Sequence, residues 1–126
     1  MSLCGQCKIS KNNFVTYNME FNQKIANDGL SFSMEFGQNW LKPINERLSK
    51  KYLELLPVEL EKYNKLCKEV NTYANDFIRN NPVQNNEVLI FLPFEKFKKV
   101  MLKKYTWINV ENLKQLYSQS CYYAWK

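Results

Sequence analysis

The 126-residue chain contains no histidine, three glycines and two arginines. Each shortage excludes something. Without imidazole there is no Ser-His or Cys-His nucleophile pair, no histidine general base, no imidazole-ligated haem and no zinc site that needs histidine. Gly5, Gly29 and Gly37 stand apart, so no glycine-rich loop can cradle a phosphate, and neither dinucleotide nor P-loop chemistry is expected. Arg47 and Arg79 both lie outside the basic C-terminal part of the chain. The usual bidentate reader of guanine is therefore missing where a nucleic acid would bind. The longest apolar run covers residues 88–93, far short of a membrane span.

The start, MSLCGQCK, has no apolar signal region, which predicts a cytoplasmic protein. If Met1-Ser2-Leu3 is a vector remnant, a secreted or lipid-anchored form stays open. A composition of 45% hydrophobic and 24% charged residues suits one soluble domain with its own core. Residues 1–13 read as a polar lead and residues 14–126 as a single globular domain.

The net charge of +6 is unevenly placed. Residues 93–126 carry seven lysines against two glutamates, whereas residues 1–92 are nearly balanced, with eleven basic and ten acidic groups. Such asymmetry suits an anionic partner. It competes with a compositional explanation, because sixteen lysines and sixteen asparagines are also what AT-rich codons deliver.

Cysteines occur at 4, 7, 67 and 121. Cys4 and Cys7 form a CxxC in the polar lead, with no strand or helix expected ahead of it to activate a thiolate. A structural zinc would need Cys67 and Cys121 as well, but both fall on apolar helix faces, where cysteine behaves as a small hydrophobe. Free thiols, no metal and no cofactor are the expectation. No spacing forces two carboxylates together; Glu20 and Glu35 would be neighbours only across paired strands.

The expected fold is mainly α, a bundle of about four helices with a short N-terminal β-hairpin. The hairpin rests on two period-two alternations, at residues 14–21 and 30–36, joined by QKIANDG. A helix through Tyr17, Phe21 and Ile25, with Gly29 beyond its end, is the competing reading. A helix from Pro43 to about Leu56 would bury Ile44, Leu48 and Leu55, with Tyr52 at the edge. A longer one from about Val58 to Asn80 carries Leu60, Tyr63, Cys67, Val70, Ala74 and Phe77 on one seam. EVLIFL at 87–92 reads as a short buried strand or extended run, which periodicity alone does not separate from helix.

In FEKFKKVMLKKY, residues 94–105, Phe94, Phe97, Met101 and Tyr105 share one helical face. Lys96, Lys99 and Lys103 share the opposite one, flanked by Lys98 and Lys104. The last helix begins after Asn109, a good N-cap, with Val110, Leu113, Tyr117, Cys121 and Ala124 turned inward. That phase leaves Tyr122 outside and Trp125 near the edge.

The functional expectation is a non-enzymatic protein-interaction module of the adaptor, immunity or regulatory-subunit type. Tyr122 and Trp125 would be its anchors, with Lys99 and Lys103 at the rim. The alternative is a weakly sequence-specific nucleic-acid binder using Lys96, Lys99 and Lys103 on a helix-turn-helix formed by the last two helices. A CxxC-based zinc or thiol-redox protein ranks third.

Overall fold

The computed structural model describes residues 21–35, 42–85, 88–90 and 92–125. Among them are five helices: α1 (Gln23–Ser33), α2 (Asn45–Lys51), α3 (Pro57–Asn80), α4 (Phe94–Lys104) and α5 (Val110–Trp125). Two three-residue strands, β1 (Val83–Asn85) and β2 (Val88–Ile90), pair antiparallel between α3 and α4, with Val83 opposite Ile90 and Asn85 opposite Val88. The helices alternate in direction. Along α1, Asn22, Ala26 and Ser33 meet Tyr63, Cys67 and Asn71 in turn, so α1 and α3 run the same way. The intervening α2 runs back, its Arg47 beside Glu35 and Tyr52 beside Asp28. Phe94 at the start of α4 meets Tyr117 late in α5, which makes those two antiparallel.

Helix α3 is the spine. Pro57 at its first position needs no hydrogen-bond partner, and the Glu59 carboxylate accepts from the Leu56 N–H at 2.8 Å. Its buried residues are Leu60, Tyr63, Asn64, Cys67, Val70, Ala74 and Ile78, so the expected seam holds except that Ile78 takes the innermost place at the end and Phe77 sits at the edge. Helix α4 also follows expectation. Phe97, Met101 and Tyr105 are buried, Phe94 packs at the border of the core, and Lys96, Lys99, Lys103 and Lys104 are exposed.

The N-terminal hairpin needs correction. Residues 30–33 belong to α1, not to a strand, and QKIANDG forms most of that helix instead of a turn. The first expected strand, at 14–21, lies outside the described residues except for Phe21. Helical packing wins because Ile25, Ala26, Gly29, Leu30 and Met34 fall on one side and reach the core, while Asn22 caps the start by accepting from the Ile25 N–H at 3.1 Å. Leu30 and Met34 satisfy both a period of two and an i, i+4 spacing, so alternation alone misled. Gly29 is not a helix end but a point of close approach. A Cβ there would stand 3.0 Å from Ile44 Cδ1 and 3.3 Å from Cys67 Sγ.

Helix α2 is shorter than expected, starting at Asn45 and ending at Lys51. Ile44 precedes it, its N–H donating to Asn64 Oδ1 at 3.1 Å, and Leu55 falls in the turn beyond. In α5 the inner face is rotated. Asn109 does cap the helix, accepting from the Asn112 N–H at 2.9 Å. The deepest residues, however, are Asn112, Leu113, Leu116, Gln119 and Ser120; Val110 is exposed, and Tyr117, Cys121 and Ala124 are only partly buried. Apolar side chains alone put the centre of the face too close to α4, because the seam toward α3 is polar.

Candidate functional site

That polar seam begins with three asparagines on α3, Asn64, Asn71 and Asn75, at spacings of seven and four that align them along one stripe beside the apolar one. Asn71 Nδ2 donates to its own helix at Cys67 O and to Ser33 Oγ of α1, both at 2.9 Å. Those two acceptors fix the amide orientation, leaving Asn71 Oδ1 to accept from Gln119 Nε2 of α5 at 2.8 Å. One turn on, Ser120 Oγ donates to Asn75 Oδ1 at 2.8 Å. Near the other end, Asn112 Nδ2 donates to Asn27 O at 2.9 Å, and Asn27 Oδ1 accepts from the Asn109 N–H at 2.9 Å. Amides therefore join α1, α3 and α5.

Above the seam lies an open cleft of about 570 Å³, bordered by the end of α1, the approach to α2, the middle of α3 and the last turns of α5. Its lining includes Lys42, Lys68, Asn64, Asn75, Gln119 and Tyr123. Neither lysine forms an ion pair among the described residues, and no acidic side chain lines the cleft there. Asn64 and Asn75 use their carbonyl oxygens inside the protein. Gln119 Oε1 is buried with no hydrogen-bond partner among the described residues.

A second surface is apolar. In the turn from α2 to α3, Leu53 is 85% exposed and Leu56 and Val58 are each 60% exposed. The sequence hides this tip, because a helix expected from Pro43 to about Leu56 with Leu55 inward, followed by another from about Val58, leaves no exposed turn to see.

The residues singled out by sequence are spread out. Tyr122 is 52% exposed, with its ring edge-on to Tyr123 at 5.6 Å. The side chain of Trp125 lies outside the described residues. Lys96, Lys99 and Lys103 face water along α4. The start of α4 meets Tyr117, and its far end leads to Tyr105, whose hydroxyl donates to Glu69 at 2.5 Å.

Thiol chemistry has little support in the described part of the chain. Burial pushes the Cys67 thiol up to about 12. It also raises Cys121, against a partly opposing hydrogen bond from Tyr117. Cys67 and Cys121 are both free thiols, and Cys4 and Cys7 lie outside the described residues. No cluster of three or more metal-ligating side chains occurs among the described residues. No helix there is long and apolar enough to cross a membrane. Compared with known proteins, the chain matches no family model, no curated protein and no solved structure.

Proposed function

We propose that the chain is a non-enzymatic protein-docking module of the adaptor, immunity or regulatory-subunit type, acting in the cytoplasm. The observation that carries this reading is the aliphatic tip of Leu53, Leu56 and Val58, which stands in water while the large apolar residues of the core are packed. Burying such a side chain contributes about 1.5–3 kcal/mol, so a partner that covers the tip gains much of what a specific interface needs. Tyr122 offers a further anchor near the level of Asn75, roughly 25 Å along α3 from the tip at 1.5 Å per residue. Trp125 would extend that second anchor, and Lys99 and Lys103 would act on association rate more than on final affinity.

A second reading has its own support. Lys96, Lys98, Lys99 and Lys103 form no ion pair among the described residues, so the ridge on α4 is electrostatically available to a polyanion. Affinity capture from source-cell extract, with and without nuclease, separates the two readings. Protein docking predicts a stoichiometric protein partner whose recovery is insensitive to nuclease. If recovery disappears with nuclease, and replacing Lys96, Lys99 and Lys103 with glutamine flattens the salt dependence by up to about three phosphate contacts, nucleic-acid binding displaces it.

A further inference from the structure

The cleft over the amide seam is chemically one-sided. Lys42 and Lys68 bring two ammonium groups to it, and Asn64 and Asn75 have spent their oxygens elsewhere, on the Ile44 N–H and the Ser120 hydroxyl. What these four side chains offer beyond those bonds is chiefly N–H donors. Donors in excess, with no carboxylate among the described lining residues, are complementary to an anion. There is one counter-feature. Gln119 is 5% exposed, its Nε2 is committed to Asn71 Oδ1, and its Oε1 has no donor among the described residues. Turning the amide over would set two oxygens against each other, so the spare acceptor is a property of the network and not of one side chain's placement. A buried acceptor left unmet is costly, and a ligand donor would recover that cost. Ile44 and the Tyr123 ring supply apolar wall, and the volume falls in the range of small-molecule sites.

We infer that this cleft binds a small organic anion, a carboxylate or phosphate that also carries a hydroxyl or amino donor. The anionic group lies between Lys42 and Lys68, with the Asn64 and Asn75 amides alongside, and the donor meets Gln119 Oε1. This site is independent of the docking tip, and either can fail without the other.

The test is a titration of the full chain followed through its ¹⁵N side-chain amide signals. Glycerol 3-phosphate and malate serve as probes for the two anion types, with glycerol and methyl phosphate for comparison. Expected is saturable movement of the Asn64, Asn75 and Gln119 signals with at least one of the two hydroxylated anions. Methyl phosphate, which has the charge without the donor, should bind several-fold more weakly, and glycerol should not bind. Lys68→Gln, on an exposed side chain, should weaken binding about tenfold while melting as wild type does. The inference is overturned if neither anion moves these amides or if Lys68→Gln binds equally well.

Discussion

Cys67 shows how far one residue's environment can be read from its spacing. Its place in the α3 seam predicts burial, and the thiol lies against Ala26 O with its pKa pushed up to about 12 from 9. Three units lower the thiolate fraction near neutral pH by roughly a thousandfold. Thiol reagent on the native protein should therefore leave Cys67 untouched until unfolding. Cys121, only half-buried, should react earlier instead of together with it, which departs from the sequence expectation that both are sealed. Equal protection of the two thiols would count against the observed phase of α5. Tyr52 makes a pH prediction. Burial, and then the Asp28 carboxylate that accepts its hydroxyl proton, raise it from 10.0 to about 12. The folded state thus keeps the proton longer than the unfolded chain does. Its contribution is complete below pH 10 and is lost as pH rises toward about 12. Melting temperatures of wild type and Tyr52→Phe should differ most below pH 10 and converge above it. A constant gap through that window would mean the Tyr52–Asp28 hydrogen bond adds nothing.

Among the elements, legibility followed the strength of the apolar pattern. The α3 and α4 faces stand nearly where residues 58–80 and 94–105 put them, since long stripes of Leu, Val, Phe and Met have one way to be buried. Two elements were misread for different reasons. Residues 30–36 alternate, yet α1 forms because its other face fits against Gly29's neighbours Ile44 and Cys67, a tertiary fact that no local period contains. In α5 the sequence could not announce that Asn112, Gln119 and Ser120 are inside, because neutral amides and hydroxyls read as surface until partners such as Asn27, Asn71 and Asn75 are known. The rotated phase has a measurable consequence. Leu116→Ala should cost about 2–5 kcal/mol, as buried leucine truncations do. Val110→Ala, at an exposed position, should stay within about 0.5 kcal/mol of wild type. Chemical denaturation of the two variants decides; a larger loss for Val110→Ala would restore the sequence-derived face. Removing an amide should also be costly. Asn71→Ala strands the Gln119 N–H and should lower stability by about 1–3 kcal/mol, detectable as an earlier melt.

For the molecule as a whole, the sequence showed a helical chain with a charge excess at one end, and showed much less of what it does. Absent histidine and scattered glycines exclude chemistries without naming one. The exposed lysines of α4 are equally what a solvated amphipathic helix requires, and Tyr122 is visible as an outward residue. Both features on which the proposals rest, the aliphatic tip and the donor-lined cleft, arise from segments far apart in the chain or from a turn that the sequence pattern places at the junction of two helices. The docking account rests on the tip, and the sharpest measurement is partner affinity for wild type and Leu53→Asp, with melting curves of both and with Tyr122→Ala and Tyr117→Ala alongside. Leu53 is 85% exposed, so its replacement should leave melting unchanged while weakening the complex by about tenfold or more. Tyr122→Ala should likewise melt normally and lose affinity, whereas Tyr117→Ala, whose ring packs on Phe94 and Phe97, should melt early. Undiminished affinity in Leu53→Asp would contradict the central claim.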